Sequence, residues 1–294
     1  MTPYRSFRFC ALIALAALQL ANARPDKADN LIPVEEKTIH AKTKPPVDPK
    51  LNTVDLAAAD VPINQQYPSA VLFGRICGGT IISPTWVLTA GHCTLSMSGR
   101  TVLAGTNNTA NGSGVRGRVK RLVIHPLFTV GPYWLNAVEY NIQQVAAHWD
   151  FLLAELEEPL PLDGKIIAAA KLNEEVSLPA ALEVGFAGFG TDHFGGTMSH
   201  EMHIKELMVQ ANDVCKTALV EYTAEDMVCT KGRPPNNDTA CSGDSGSGLV
   251  DAQGRLIGVA SWVQDDAREC RNGALVVFSR VSAVRDWIRQ VTNI

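Results

Sequence analysis

From about residue 56 onward, the chain alternates short apolar runs with turn residues. The runs are rich in Val, Ile and Leu and lie at 69–73, 80–82, 86–90, 119–124, 151–156, 182–187, 256–263 and 274–281. Gly, Pro, Asn or Asp separates them. Many short runs of this kind, with little helical periodicity, predict an all-β sandwich or barrel.

The last stretch of the chain has a different pattern. Its apolar positions recur at three- and four-residue steps, at Val281, Val284, Trp287, Ile288 and Val291. That spacing places them on one face of a helix, so it predicts one amphipathic helix at the end of the chain. No P-loop, dinucleotide fingerprint or HExxH motif occurs in the sequence.

Residues 1–23 have the pattern of a secretory signal peptide. Arg5 and Arg8 precede an apolar run at 9–18, and Ala21-Asn22-Ala23 supplies the small residues of a cleavage site. A membrane-spanning helix needs about 20 apolar residues, whereas this run has ten. We therefore expect a secreted, extracellular protein with no membrane span.

Residues 24–55 predict a propeptide without a packed core. They contain five prolines, alternate Lys with Asp and Glu, and carry few aliphatic and no aromatic residues. Such a segment buries little apolar surface. A flexible tail is the alternative to a removable propeptide, and in either case the working unit is the domain at 56–294.

The cysteine count favours an oxidising compartment. Cys10 lies in the predicted signal peptide and leaves with it. Six cysteines then remain, at positions 77, 93, 215, 229, 241 and 270. An even number in a secreted chain predicts three disulfides, and six cysteines allow about 15 pairings.

Composition and charge exclude two classes of protein. With 46% hydrophobic residues the chain supports a sizeable core, which excludes disorder as its main state. The formal charge of −4 disfavours a nucleic-acid partner bound by net charge. Residues 56–138 carry six basic and one acidic residue, however, and residues 139–294 carry 12 basic and 23 acidic ones. The basic first stretch fits either an exosite for acidic partners or a plain solvated face.

Three short motifs carry the candidate chemistry. They are Leu-Thr-Ala-Gly-His-Cys at 88–93, Trp-Asp-Phe-Leu-Leu-Ala-Glu-Leu at 149–156 and Cys-Ser-Gly-Asp-Ser-Gly-Ser-Gly at 241–248. Each motif alone is ordinary. Together, in the order His, Asp and Ser with flanking cysteines, they resemble those of the trypsin/chymotrypsin-like serine proteases, and the resemblance covers essentially residues 56–294.

This resemblance implies a chymotrypsin-like fold. The expected fold class is all-β, with two six-stranded antiparallel β-barrels packed together and a C-terminal α-helix. The two barrels are expected at roughly 56–165 and 166–294. The family also assigns the disulfides, which are expected to be Cys77–Cys93, Cys215–Cys229 and Cys241–Cys270.

The catalytic triad implied by the resemblance is also chemically reasonable. A serine hydroxyl is a poor nucleophile at neutral pH, so Ser245 needs a base, and His92 titrates in the right range. Asp150 would accept the other imidazole N–H and stabilise the imidazolium. The backbone N–H groups of Gly243 and Ser245 match the family's oxyanion hole.

Activation is the point at which this sequence departs from the family. Members free a new N-terminus, usually Ile-Val-Gly-Gly after Arg or Lys, whose ammonium pairs with the aspartate before the serine, here Asp244. No Ile-Val-Gly-Gly segment occurs in this chain. We predict cleavage after Lys50, with cleavage after Asp55 as the alternative, so that the propeptide ends at 50 or 55.

The family resemblance indicates which residue forms the floor of the substrate pocket. Thr239 occupies the floor position, at which trypsin-like members carry Asp. Asp238 lies one position too early to count as an anchor for a basic side chain. A one-residue shift of the loop would bring Asp238 to the floor and give trypsin-like specificity, which is the rival prediction.

The pocket walls align with Val263 and Val276, where members that accept large side chains usually carry Gly. Ser261 and Trp262 precede the first of these valines, and the Ser261 backbone matches the group that binds extended substrate. Valines narrow the pocket, so we expect an elastase-like or chymotrypsin-like preference for small or medium apolar residues.

Two surface features add to this prediction. The loop before the aspartate motif is longer than in typical members. Its Tyr133 and Trp134 either restrict which peptides enter or belong to a loop folded on its own apolar residues. Asn107 and Asn111 begin N-glycosylation sequons, so a glycoprotein is expected.

The sequence thus predicts a secreted serine endopeptidase made as a zymogen. Its expected partners are protein or peptide substrates and protein protease inhibitors, not nucleic acid, and it is expected to act as a monomer. No cofactor is expected, and the spacing of His193, His200 and His203 does not favour a metal site. The alternative is a catalytically weak or non-enzymatic binding or regulatory protein on the same scaffold. Retention of all three triad residues favours the enzyme.

Overall fold

The computed structural model describes five segments of the chain. They are residues 61–96, 100–131, 146–193, 196–264 and 270–294. The predicted signal peptide, the propeptide with both candidate cleavage points, and the loop residues Tyr133 and Trp134 lie outside the described residues.

Strands dominate the described part of the chain. In chain order they are β1 (Ala70–Phe73), β2 (Cys77–Ser83), β3 (Trp86–Thr89), β4 (Thr101–Ala104), β5 (Val115–Ile124), β6 (Thr129–Val130), β7 (Ala147–His148), β8 (Leu152–Leu156), β9 (Lys171–Leu172), β10 (Glu183–Gly188), β11 (His203–Val209), β12 (Met227–Gly232), β13 (Gly248–Asp251), β14 (Arg255–Val263) and β15 (Leu275–Arg280). The α-helices are α1 (Ile63–Gln66), α2 (Asn212–Ala218) and α3 (Arg285–Thr292), and 3-10 turns lie at Gly91–Ser96 and Val281–Val284.

The first barrel closes in the strand order β1-β2-β3-β8-β5-β4, with antiparallel pairs throughout. In β5, Arg116, Arg118 and Lys120 are exposed while Gly117 and Val119 are buried. Such two-residue alternation is that of a strand with one face on a core. The interior holds fully buried apolar side chains, among them Phe73, Ile81, Leu88, Phe151 and Leu152.

The second barrel runs in the order β13-β10-β11-β12-β15-β14 and closes through the β13–β14 pairing, while short β9 adds to β14 in parallel. Its interior includes Phe186 and Phe278, whose rings meet edge to face at 5.8 Å. The six antiparallel strands of each barrel and the C-terminal helix confirm the predicted fold class.

Two strands of the second barrel are not predicted by the hydrophobic pattern. The first four residues of β11 are only half-buried, and β12 includes Thr230 and Lys231. Each strand has an apolar run of only three residues, at 207–209 in β11 and at 227–229 in β12, yet each has antiparallel partners on both sides. Pairing with segments distant in sequence stabilises these strands, so the local sequence pattern does not predict them.

The C-terminal helix is shorter than its sequence pattern predicts. Val281 and Val284 lie in a 3-10 turn, and α3 begins only at Arg285. Both valines are buried, together with Ile288, in the apolar cluster that includes Phe151. The predicted apolar face therefore packs on the core, although a 3-10 turn followed by an α-helix forms it rather than one continuous helix.

Three disulfides join described cysteines, in the pairs Cys77–Cys93, Cys215–Cys229 and Cys241–Cys270. These are the pairs that the family resemblance implies. The first of them ties β2 to the 3-10 turn that carries His92. Within the described segments, no helix is long and apolar enough to cross a membrane.

Candidate active site

The three candidate catalytic residues come from separate connections between strands. His92 lies in the 3-10 turn after β3, and Asp150 follows the short strand β7. Ser245 is half-buried in the turn before β13. Side chains from three different connections can meet only after both barrels have formed.

His92 and Asp150 form a buried pair with two hydrogen bonds. Nδ1 of the imidazole lies 2.6 Å from Oδ2 of Asp150, and the His92 backbone N–H donates to Oδ1 over 2.8 Å. The exposed fractions of the two residues are 4% and 0%. An ionised carboxylate can only accept, so Nδ1 carries the imidazole proton and Nε2 is left as the basic nitrogen.

Ser261 supplies a third donor to Asp150. Its hydroxyl donates to Oδ2 over 2.6 Å. The β14–β15 register shifts between Ala260 and Trp262, so Ser261 is the extra residue of a bulge. Bulges redirect side chains, and this one directs the hydroxyl towards the carboxylate. The sequence analysis assigned only the backbone of Ser261 to substrate, and no pattern in the chain pointed to its side chain.

The loop that carries Ser245 is held against the first barrel. The Gly78 N–H donates to the Ser245 carbonyl over 2.7 Å, and Thr89 Oγ1 donates to the Gly78 carbonyl over the same distance. Gly243 has φ +97°, a conformation that favours glycine, and a β-carbon there would collide with the sulfur of Met198. The residue before Asp244 is therefore restricted to glycine by both backbone and space.

Asp244 lies fully buried beneath this loop. Its two carboxylate oxygens accept the N–H groups of Gly190 and Cys241, each over 3.0 Å. Among the described residues its ion-pair partner is His203, whose Nε2 lies 3.9 Å from Oδ1. Burial raises the pKa of Asp244 to about 6, because two backbone N–H groups and the charge of Lys205 only partly replace water.

A second buried carboxylate, that of Asp226, holds the segment leading into Asp150. Trp149 has φ +50°, which is uncommon for a bulky residue. Its N–H donates to Asp226 Oδ2 over 2.8 Å, and His148 Nδ1 lies 3.4 Å from the same oxygen. Burial raises the pKa of Asp226. Sequence analysis missed this contact, since 77 residues separate Trp149 from Asp226.

An aromatic cluster supports the same segment from the other side. The His125 ring stacks on Trp149 at 5.4 Å and meets Trp287 of α3 edge to face at 4.8 Å. Burial lowers the pKa of His125, and its Nδ1 accepts the N–H of Leu127 over 3.3 Å. His125 therefore packs between Trp149 and Trp287 and links the segment before Asp150 to α3.

The predicted pocket residues occupy adjoining strands and the loop before Cys241. Val263 and Val276 face each other across the β14–β15 pair, and Val276 is 1% exposed. Thr239 is buried. The neighbouring Asp238 directs its carboxylate at β11, where Oδ2 accepts the Glu206 N–H over 2.9 Å.

The three histidines considered for a metal site have separate partners. His193 Nδ1 lies 2.6 Å from Asp192, His200 Nδ1 lies 3.1 Å from Thr109 Oγ1, and His203 faces Asp244. Within the described segments, no group of three or more His, Cys, Asp or Glu side chains is arranged to hold a metal ion.

Comparison with known proteins identifies the family. A sequence model of the trypsin family matches residues 58–288. The chain belongs to the trypsin family. It is 62% identical over 281 residues to scolexin B of Heliothis virescens, with 96% of each chain covered. It is 31% identical over 227 residues to trypsin zeta of Drosophila erecta, with 74% of each chain covered.

A solved structure shows the same fold. Neuropsin, a serine protease expressed in the limbic system of mouse brain, superposes with a TM-score of 0.65 at 22% identity. The match covers 78% of this chain and 96% of neuropsin. The predicted family membership and chymotrypsin-like fold are thus both confirmed.

Proposed function

We propose that this trypsin-family protein is a secreted serine endopeptidase, made as a zymogen, that cleaves peptide bonds through an acyl-enzyme on Ser245. The observation that carries the proposal is the buried His92–Asp150 pair, joined at 2.6 Å. A base held in one tautomer by a carboxylate is what a serine nucleophile requires.

In the proposed reaction, Nε2 of His92 takes the proton of the Ser245 hydroxyl as Oγ bonds to the scissile carbonyl carbon. The C–N bond then breaks, and the imidazolium returns that proton to the leaving amine. Water repeats the sequence on the acyl-enzyme and releases the acid product. Asp150 stays ionised throughout and stabilises the imidazolium.

The negative oxygen of each tetrahedral intermediate would be bound by the N–H groups of Gly243 and Ser245. Loss of one such donor typically costs about 3 kcal/mol of barrier lowering. The φ of +97° at Gly243 and its close contact with Met198 support the need for glycine here. A fixed turn of this kind presents its amides without reorganisation during the reaction.

We propose a preference for small or medium apolar residues before the cut, elastase-like or chymotrypsin-like in type. Val263 and Val276 face each other where the pocket walls are expected. Asp238 is engaged with the Glu206 N–H, which disfavours the trypsin-like alternative. A pocket of this type separates side chains by only about 1–3 kcal/mol per methylene, so the preference is broad.

The zymogen part of the proposal rests on Asp244. A buried carboxylate with a raised pKa is stabilised when a cation is brought to it. The ammonium of a new N-terminus, made by cleavage after Lys50 or after Asp55, is the cation we propose. His203, at 3.9 Å, would be a weak substitute in the uncut chain.

The remaining parts of the proposal follow from the sequence. They are a signal peptide at 1–23, a propeptide at 24–55, a protease domain at 56–294 and glycans at Asn107 and Asn111. We also propose that the protein is a monomer that acts on protein substrates and binds protein protease inhibitors.

Hydrolysis of quenched fluorescent peptides by the secreted, processed protein tests the proposal. We expect cleavage after Ala or Val and no cleavage by the Ser245→Ala variant made in the same way. N-terminal sequencing of the same sample locates the activating cut. If every processed form is inactive towards every peptide, the non-enzymatic binding protein replaces the enzyme; the unusual activation terminus is the feature that favours that second function.

A further inference from the structure

A hollow of about 510 Å³ lies beside the proposed oxyanion turn. Its apolar lining includes Leu103, Phe189 and Met198, and its charged lining consists of Arg75 and Arg116. We call this hollow the arginine cleft. An apolar base under two guanidinium groups is suited to an extended chain that carries acidic side chains.

The arginine cleft is continuous with the proposed reaction centre. Met198, which lines it, also fills the space where a side chain on Gly243 would lie. Arg75 is three residues before Gly78, whose N–H donates to the Ser245 carbonyl. Three residues of chain span at most about 11 Å, so the cleft begins within a few substrate residues of the nucleophile.

The cleft is separate from the residues assigned to the acyl side of the scissile bond. The residues assigned to the acyl side of the substrate, Ser261, Val263 and Val276, do not line it. It is bounded instead by the β1–β2 turn, by β5 and by the segment around Met198. Substrate residues that follow the cut are therefore the ones that would enter it.

The first barrel places two of its six basic side chains at this cleft. Arg118, Lys120 and Arg121 are paired with Glu157 or Glu155. Arg75 and Arg116 form no ion pair with any carboxylate in the described part of the chain. Positive charge inside a hollow with apolar walls attracts anions more strongly than the same charge on a flat surface.

Arg75 also occupies a strained backbone position. Its φ is +79°, in the region where glycine is favoured and a long side chain is uncommon. Backbone strain at a side chain that lines a cleft is typical of residues kept for binding. The turn itself gains nothing from arginine that glycine would not supply.

We propose that the arginine cleft binds acidic side chains of the substrate within the four residues after the scissile bond, through Arg75 and Arg116. This specificity rests on the proposed protease function and extends it, because the pocket proposed at Val263 and Val276 would select only the residue before the cut. Substrates would be proteins with a small apolar residue followed by an acidic segment.

Matched pairs of quenched peptides test the proposal. Each pair carries Ala before the cut and differs only by Glu against Gln at one of the four following positions. We expect at least one position at which kcat/KM for Glu exceeds that for Gln by about three- to tenfold at low salt, falling below about twofold in 0.5 M NaCl as charges are screened.

Substitutions of the arginines test whether the preference for Glu over Gln arises in the arginine cleft. Arg75→Gln and Arg116→Gln should each lower the Glu-to-Gln ratio, and the double variant should bring it to about one. Arg118→Gln removes a charge from the same face of β5 without lining the cleft, so it should keep the wild-type ratio. Arg75→Gly should lower the ratio while raising the melting temperature, because glycine relieves the strain.

Two outcomes would overturn the proposal. One is a Glu-to-Gln ratio of one at all four positions in an active enzyme. The other is a preference that Arg118→Gln abolishes as fully as Arg116→Gln does.

If no peptide is cleaved at all, the protease function fails instead, and fluorescence anisotropy still tests the cleft. A labelled Glu-rich decapeptide should then bind Ser245→Ala protein more tightly than its Gln counterpart, and equal binding overturns the proposal.

Discussion

The Ser261 hydroxyl donates to the same oxygen of Asp150 that receives the His92 Nδ1–H, and both distances are 2.6 Å. With the His92 backbone N–H on the other oxygen, three donors surround a carboxylate that has no exposed surface. A buried charge is tolerated when its acceptor sites are filled in this way. A serine from the second barrel therefore helps to hold the carboxylate that binds His92.

Ser261→Ala removes one of the three donors to Asp150. A hydrogen bond to a charged group contributes about 1.5–3 kcal/mol, so kcat/KM should fall by about tenfold or more. Steady-state kinetics on an Ala-containing peptide would measure it. Ser279→Ala, at a buried serine of β15, is the matched control and should leave kcat/KM unchanged. Equal rates for Ser261→Ala and wild type would remove the hydroxyl from the mechanism.

Asp226 should act as a positioning residue for Asp150 through Trp149. Asp226→Ala leaves the Trp149 N–H unpaired and its φ of +50° unsupported, so kcat should fall by about tenfold. Asp226→Asn keeps an acceptor oxygen and should restore activity to within about threefold of wild type. A purely structural role would lower the melting temperature of both variants without separating their kcat values.

Stability of the uncut chain should depend on the ionisation of Asp244. Its folded pKa of about 6 lies above the ordinary 3.8, so the folded state binds a proton that the unfolded chain has released. The free energy of unfolding, relative to that of Asp244→Asn, should therefore fall as pH rises from 4 to 7, by about 2 kcal/mol.

Chemical denaturation across that pH range would measure the difference in inactive Ser245→Ala protein. The processed form should lose this dependence, because an N-terminal ammonium would stabilise the ionised carboxylate. An identical pH dependence of wild-type and Asp244→Asn precursors contradicts the account of Asp244.

The proposed narrow pocket makes a prediction about the residue before the cut. Replacing both Val263 and Val276 by Gly removes the two facing wall side chains. The ratio of kcat/KM for Phe to that for Ala at this position should rise at least about tenfold. A Phe-to-Ala ratio already above one in the wild-type protein would show that these valines do not close the pocket.

Sequence alone predicted the fold class, because three motifs and six cysteines recur in the trypsin family, and the family supplies the two barrels. It also named His92 and Asp150, whose side chains meet at 2.6 Å, and Ser245, whose carbonyl accepts the Gly78 N–H. Local pattern could not predict β11 and β12, since pairing with remote strands defines them.

The supporting contacts of the candidate site were missed for a related reason. Ser261 reaches Asp150 across 111 residues, and Asp226 reaches Trp149 across 77. A serine in a strand and an aspartate before a strand are ordinary in sequence. Only the packing of the two barrels distinguishes this serine and this aspartate from the other serines and aspartates of the chain.

The central claim is that Ser245 is an activated nucleophile, and one measurement tests it most directly. The secreted, processed protein is treated with diisopropyl fluorophosphate, and the modified residue is located by mass spectrometry. The account predicts stoichiometric modification at Ser245 that is abolished in His92→Ala protein shown to be folded by circular dichroism. No modification of Ser245 in any processed form, or equal modification without His92, would contradict it.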